Sequence, residues 1–506
     1  MHKLMSFLVM KGIDSWRKNP QLHQALIFRR MIKQLSRTQF GLDHKLSPDT
    51  TVADFQAKVP LYHYEDYEKY IELLKLGKKS VLWPGKMECF CISSGTTSGE
   101  KLIPIYNSAL YSMIKTTFRS SYVFIAFSKR YDLYKRKIFH LYGLGVIKLI
   151  NNIKYGYIGH VSNSKVPAFL VRSKYPKPEL NNQKTWKDKL RVISEDIVNQ
   201  DLSVICGTPP WMNNFLEVFK EKHACSFSSQ FPHLTLYVHG GCPLENYREE
   251  FFRYMGESKT LWTQEIYPAS EGFIAFQDQW DEQHKTAQQD LLLNVGENIF
   301  FEFLPYANGS YENKRLTVGE VEVGKVYTLV LTTIGCFASY IIGDNVEVTS
   351  VKPLRIRFAG RAKQNVNLVN EHMDFRTINM IFHDLKKALP FLMNDFVLFP
   401  RVEKGNAFYH WVLSVEDGFL FSPEMLAETT KLLNQISMER NPFYKGWYTG
   451  GVLKPEQVQF VYKGAFLEYL QSKKSVGQNK VPNVVLTSSA QAEMLEFFRA
   501  HQCLVN

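Results

Sequence analysis

At 506 residues, with 45% apolar and 14% aromatic side chains, the chain is too long for one simple core and falls outside the disordered and fibrous classes. Its formal charge of +12 suits anionic partners such as nucleotides, nucleic acid or carboxylates without selecting among them. The seven cysteines form no CxxC pair, which excludes the usual zinc-ligand spacing and predicts reduced thiols in a cytoplasmic compartment.

Residues 1–60 read as helical, with Ala25, Phe28, Ile32 and Leu35 making one apolar face. The apolar run Leu4 to Met10 follows Lys3, is stopped by Lys11 and has no small-residue cleavage site, so a signal peptide is not expected. No uninterrupted apolar run reaches the ~18 residues of a membrane span. Pro60 opens a segment that enters a helix through Tyr67, Ile71 and Leu74, closed by Gly77 and Pro84-Gly85. After the strand-like Phe90 to Ile92 and Leu102 to Ile105, a helix runs through Tyr111, Lys115 and Phe118. The basic run Lys129-Arg130 and Lys135-Arg136-Lys137 reads as a solvated helix end, with phosphate contact as the alternative.

From Lys137 the pattern alternates. Strands at Lys137 to Leu141, Leu202 to Ile205, Leu234 to Val238 and Leu261 to Tyr267 are separated by helical patterns near 185–199, through Trp211, Phe215 and Phe219, and through Tyr247, Phe251 and Tyr254. Such alternation predicts α/β architecture with a largely parallel sheet. Ile299 to Leu304, Val326 to Thr332, Asn345 to Thr349 and Leu354 to Phe358 then read as β-rich. The remainder, with a helix through Phe375, Ile378, Phe382 and Leu385 and strands at Phe408 to Val415 and Val458 to Tyr462, reads as α+β. The expected organisation is a large N-terminal domain over 1–362, with mainly parallel sheets plus a β-rich subdomain, and a smaller mobile α+β C-terminal domain over 363–506.

The densest chemical signal is Ser93-Ser94-Gly95-Thr96-Thr97-Ser98-Gly99-Glu100-Lys101, read as a loop between two short strands. Small residues let successive backbone N–H groups turn inward on an anion, and hydroxyls with one ammonium complete a cradle for a nucleoside triphosphate. The sequence is not a Walker A loop, since Gly-x-x-x-x-Gly-Lys-Ser/Thr is absent, and an ordinary polar turn would have a similar composition. Gly240 and Gly241 follow a strand, where backbone can lie flat against a planar ring or simply turn. Tyr267-Pro268-Ala269-Ser270-Glu271-Gly272 places a carboxylate in a small-residue loop, suited to Mg²⁺ on a phosphate or to solvent. Gly343-Asp344 offers a carboxylate for two ribose hydroxyls, Gly360-Arg361 marks the domain boundary, and Lys480 stands in a late loop as a mobile cation.

In this order the pieces resemble the adenylate-forming superfamily of ligases. They resemble more closely its Gretchen Hagen (auxin-responsive promoter) family of acyl acid amido synthetases, with its bacterial relatives. The segments that carry the resemblance are Ser93-Ser94-Gly95-Thr96, His239-Gly240-Gly241, Tyr267 to Phe273, Ile342-Gly343-Asp344 and Gly477-Gln478-Asn479-Lys480-Val481-Pro482. The resemblance implies that a small carboxylic acid is adenylated by Mg-ATP with release of pyrophosphate, and that an amine, usually an amino acid, then displaces AMP. It implies that Ser93 to Thr97, with Lys101, hold phosphates, that Ala269 and Ser270, with Tyr267, lie by the adenine, and that Glu271 holds Mg²⁺. Asp344 would bind the ribose, Arg361 would sit at the ribose side of the hinge, and Lys480 would bridge phosphate and carboxylate. A CoA ligase using the same first step, or a nucleotide-binding protein of weakened activity, is the alternative. A monomer with no nucleic-acid partner is expected. Two departures stand out: Ala338-Ser339-Tyr340 lacks an arginine found in relatives, and Asn370-Glu371 replaces a Gly-Glu pair.

Overall fold

In the computed structural model of the chain, the parallel strands expected from the apolar runs stand side by side. Residues 2–504 are described, apart from 96–98, 143–146, 166–171, 242–243, 257–260, 282–289, 308–309, 336, 362–365, 367, 370, 372, 374, 390, 392, 404–405, 417–421 and 474–481; for 93–95, 99–100, 163–164, 246, 361 and 376 the backbone alone is described. Lys174–Tyr175, Lys137–His140, Leu202–Cys206, Leu236–Gly240 and Trp262–Ala269 form, in that order, the parallel part of a twelve-stranded sheet. The sheet continues through Gly272–Gln277, Leu291–Leu293, Leu354–Arg361, Tyr340–Val351, Val326–Thr333, Ile299–Ala307 and Ser310–Tyr311. Here the pairing turns antiparallel, beginning at the tight hairpin between Trp262–Ala269 and Gly272–Gln277. The parallel sheet expected from the sequence is therefore one half of a mixed sheet.

The parallel strands read as largely apolar because both faces are covered: Leu202 to Ile205 are all buried, with the Ser203 hydroxyl donating to the Leu133 carbonyl at 2.6 Å. Crossover helices Trp186–Ile197 and Pro209–His223 pack beside each other, with Phe215 against Phe139 of the sheet, and Phe124 and Ile125 of helix Asn107–Ser128 pack with Val204, Leu236 and Trp262. The first crossover helix starts where the Thr185 hydroxyl accepts the Asp188 N–H at 3.0 Å, and the second where prolines occupy its first turn. A second sheet of four strands runs Gly99–Ile105, Cys89–Gly95, Ile153–Gly156 and Lys148–Ile150.

Helix Pro20–Leu35 buries Ile27, Phe28, Met31, Ile32 and Leu35, whereas Ala25 is exposed, so the apolar face is rotated from the one expected. The buried polar residue on that face is Gln24, whose amide donates to the carbonyls of Val295 and Ile299 at 3.0 and 2.9 Å and accepts from Phe301 N–H at 2.8 Å. Every hydrogen-bonding group it brings into the core thus has a use. Charge is buried on the same terms: Asp278 sits between Arg17 and Arg355, and Glu302 takes a bidentate guanidinium from Arg315 at 2.8 Å.

The chain divides into two compact units. One comprises Met1–Pro305, Asn313–Ile342 and Val346–Arg357, and the other Tyr306–Glu312, Gly343–Asn345 and Phe358–Asn506. The second unit holds a three-stranded sheet of Met393–Glu403, Asn406–Val415 and Gln457–Tyr462, the first pair antiparallel and the second parallel. Its parallel return spans the helices Pro423–Arg440 and Pro442–Thr449, while helix Phe375–Ala388 buries Ile378, Ile381, Phe382 and Leu385. Among the described residues, no helix is long and apolar enough to cross a membrane.

Candidate functional site

The hydroxyl-rich stretch is shorter as a loop than its composition suggests. Cys89–Gly95 and Gly99–Ile105 pair antiparallel, with Ser93 opposite Lys101, Ser94 opposite Glu100 and Gly95 opposite Gly99. The expected nine-residue loop is thus a hairpin whose two arms reach Gly95 and Gly99, because cross-strand pairing satisfies the backbone that turn composition alone would leave open. Thr96 and Thr97 lie outside the described residues.

Lys101, read from the sequence as the end of that loop, lies inside the second arm. Its Nζ is 3.5 Å from the Tyr340 hydroxyl and 5.3 Å from the centre of the Tyr64 ring, and the Leu102 N–H donates to the Tyr64 hydroxyl at 2.7 Å. The Tyr64 face attracts the ammonium, and the Tyr340 hydroxyl oxygen limits its directions. Asp344 lies four residues further along the strand that carries Tyr340 and is buried.

Gly240 and the Tyr267–Glu271 segment come together at the C-terminal ends of two adjacent parallel strands. Gly240 is paired with Ile266, so Gly241 and Tyr267 are each the next residue on. An added Cβ at Gly240 would lie 2.3 Å from the Ile266 carbonyl oxygen, and Gly241 has φ +89°, which disfavours any side chain. Tyr267, Ala269 and Ser270 are half-buried, and Ser270-Glu271 form a two-residue hairpin turn closed by the Ala269–Gly272 pair. The Glu271 carboxylate, expected in an open loop, is buried at 9% exposure. Such an oxygen donor at a strand end suits a hard divalent cation.

The two motif hairpins share a support. A Cβ at Gly272 would stand 2.8 Å from Ile299 Cδ1 and 3.8 Å from Thr333 Cγ2. The Thr333 N–H donates to the Phe337 carbonyl at 2.9 Å, closing a turn whose Gly335 carbonyl accepts the Tyr106 N–H at 3.2 Å. Tyr106 immediately follows the hydroxyl-rich hairpin.

Ser339, where an arginine was missed, is fully buried with φ +54°. Its hydroxyl donates to the Pro60 carbonyl at 2.8 Å, its N–H to Thr332 Oγ1 at 2.9 Å, and its carbonyl accepts Tyr62 N–H at 2.9 Å. Ser339 is a packing residue. Glu371, beside the second departure, accepts the N–H groups of Leu368 and Val369 at 2.7 Å and the Tyr409 hydroxyl, closing a turn in the second unit; Asn370 is outside the described residues. Arg361 ends its strand with only backbone described, and Lys480 lies outside the described residues.

His239 had no assigned role. It is 4% exposed, burial pushes its imidazole down to about 3, and its Nδ1 has no hydrogen-bond partner among the described residues. A neutral ring with an open nitrogen therefore lies directly before the Gly240-Gly241 turn. Its sequence signal was its place at the end of an apolar run. Tyr64 and Tyr340 carried no such signal, since their partner is distant in sequence. The aromatic side chains of Tyr122 and Phe273 are core, at 7% and 4% exposure. The Gly240→Ala substitution is expected to cost about 1–3 kcal/mol in thermal unfolding, because the clash is with backbone. Gly12→Ala, in helix His2–Lys18 with nothing within 4 Å of the added carbon, should instead gain about 0.5–1 kcal/mol.

A mixed sheet with glycine and carboxylate motifs on adjacent strand ends, followed by an α+β unit, has the fold of the adenylate-forming enzymes. Residues 9–144 match the GH3 family N-terminal domain and residues 292–361 the GH3 family central domain, bearing out the resemblance read from the motifs. Among solved structures, the chain is similar to a GH3.15 acyl acid amido synthetase, with TM-score 0.78 and 14% identity over 98% of this chain and 96% of that one. It is likewise similar to AtGH3.15 acyl acid amido synthetase in complex with 2,4-DB, with TM-score 0.78 and 15% identity over 99% and 96%. A 2-hydroxyisobutyryl-CoA ligase in the postadenylation state, in complex with R3-HIB-AMP, follows at TM-score 0.54 and 12% identity over 97% and 90%. No curated protein matches by sequence.

Proposed function

We propose that the protein is an ATP-dependent acyl acid amido synthetase of the cytoplasm, acting as a monomer. The observation that carries this reading is the pair of GH3 domains within a fold that follows an acyl acid amido synthetase over 98% of the chain. ATP supplies the adenylyl group that activates a small carboxylic acid, with pyrophosphate leaving. In this reading Ser93, Ser94, Gly95, Thr96, Thr97 and Lys101 hold the phosphates. Gly240, Gly241, Tyr267, Ala269 and Ser270 bound the adenine, Asp344 takes the ribose hydroxyls and Arg361 the ribose side of the hinge. Glu271 holds Mg²⁺. Its fit rests on a buried carboxylate next to a turn with no room for a larger neighbour, since Gly272 already faces Ile299. Residues 1–362 form the adenylation domain and 363–506 a cap that delivers Lys480 by closing. An amino acid is the favoured acceptor, and a thiol acceptor is the second reading, supported by the weaker likeness to the CoA ligase.

The test is pyrophosphate exchange with a panel of carboxylic acids. Exchange is expected to require both an acid and Mg²⁺ and to proceed without an acceptor. Tight ATP binding with no exchange across the panel would remove the enzyme reading. Consumption of the adenylate by CoA and by no amine would replace the amide with the thioester.

A further inference from the structure

We infer that the N-terminal helix His2–Lys18 docks the protein on an anionic lipid surface. One side of this helix is committed to the protein: Ser6, Ile13 and Trp16 are buried. The other side should then be polar. Instead it exposes Leu4 at 63%, Phe7 at 65%, Leu8 at 52% and Met5 at 41%. At 100° per residue Leu4, Phe7 and Leu8 fall on one stripe, exposed Lys11 and Lys18 continue it along the helix, and exposed Lys3 borders it on the Phe7 side. Clustered exposed apolar side chains mark an interaction surface, and apolar side chains bordered by lysines match a bilayer interface, where the rings and branched chains enter the acyl boundary and ammonium groups meet lipid phosphates.

The charge distribution points the same way. Residues 1–38 hold eight lysines and arginines against one acid, Asp14, which is seven of the chain's twelve net positive charges. The following helix continues the pattern, exposing Leu22 at 57% and Leu26 at 51% beside exposed Arg29, Arg30 and Lys33. The basic run at 129–137 belongs to this region too. His2 Nδ1 lies 2.8 Å from the Tyr122 hydroxyl and its ring 5.6 Å from that of Tyr134, which places exposed Lys135 near the head of the helix. Nucleic acid would use the cations but not Leu4, Phe7 and Leu8. A second copy of the chain would use the apolar stripe but would set two segments of like charge against each other. An anionic membrane uses both.

The experiment is flotation of the full chain with phosphatidylcholine vesicles, with and without phosphatidylserine, at low and high salt. The expected result is binding that requires phosphatidylserine and weakens with salt. Phe7→Glu/Leu8→Glu and, separately, Lys3→Glu/Lys11→Glu should each lower partitioning by about tenfold or more. Both variants should keep the wild-type melting temperature and pyrophosphate exchange, since these side chains face solvent. No flotation, or flotation that is equal on neutral vesicles or unchanged in both variants, would overturn the inference. So would a wild-type dimer that Phe7→Glu/Leu8→Glu converts to monomer with no vesicle binding, the outcome that assigns the stripe to a second copy.

Discussion

Replacing Lys480 by alanine should lower acid-dependent pyrophosphate exchange by about 10²–10³ while leaving melting temperature and nucleotide Kd nearly unchanged. In the proposed mechanism no other cation comes from the C-terminal cap, and the lysine reaches the reacting phosphate only when that cap closes. Its charge then acts on the transition state, where negative charge moves between carboxylate and phosphate, and contributes little to the ground-state complex. Glu271→Gln provides the contrast. It removes the anionic ligand while keeping the shape of the buried turn, so it should raise the magnesium concentration needed for exchange. Single-turnover adenylation at saturating acid, with nucleotide affinity measured separately, distinguishes the two. If Lys480→Ala adenylates at the wild-type rate while Glu271→Gln is impaired, the strand-end site stands and the closing-cap mechanism does not.

The sequence was most informative where local chemistry and tertiary structure agree. Leu202 to Ile205, broken only by Ser203, and Leu236 to Val238 are apolar runs that each lead into a glycine-bearing turn, so strand, burial and the position of Gly240 could be read together. The hydroxyl-rich hairpin is paired further than its composition suggests, because Ser and Gly signal turns by composition while pairing of Ser93 with Lys101 depends on the opposing arm. The antiparallel half of the sheet was legible as β-rich, but the order placing Leu291–Leu293 beside Leu354–Arg361 is set by packing between distant segments. Ala25 shows a similar limit: helical spacing admits two neighbouring faces, and the core selected the one with Gln24, which satisfies three backbone groups. The setting of Lys101 was not legible, since Tyr64 and Tyr340 reach it from separate parts of the chain.

The contribution of Glu456 to stability should fall as pH rises from about 4.5 to about 8, against the opposite trend of buried histidines such as His239, and Glu456→Gln should remove that contribution. Glu456 immediately precedes the strand Gln457–Tyr462 and is 2% exposed. Burial pushes its carboxyl up to about 8. Ser437, Tyr444 and Trp411 oppose that shift, yet neither carboxyl oxygen has a partner within hydrogen-bond distance among the described residues. The Tyr444 hydroxyl donates instead to Asn434 Oδ1 at 3.2 Å, and the Glu456 N–H donates to the same oxygen at 3.1 Å. Burial therefore decides the direction. The sign follows from proton counting. Below about pH 4.5 the carboxyl is neutral in folded and unfolded chains alike; between there and about pH 8 only the folded chain keeps the proton, so each rise in pH favours unfolding. Above that range the folded chain carries a buried charge and the loss is complete. The amide that Glu456→Gln introduces carries no charge at any pH. Chemical unfolding followed by circular dichroism should find the variant more stable than wild type by about 3–5 kcal/mol near pH 9, with the gap closing towards pH 4.5. A gap that stays constant across this range would show that the carboxyl at position 456 titrates normally and that its surroundings admit water.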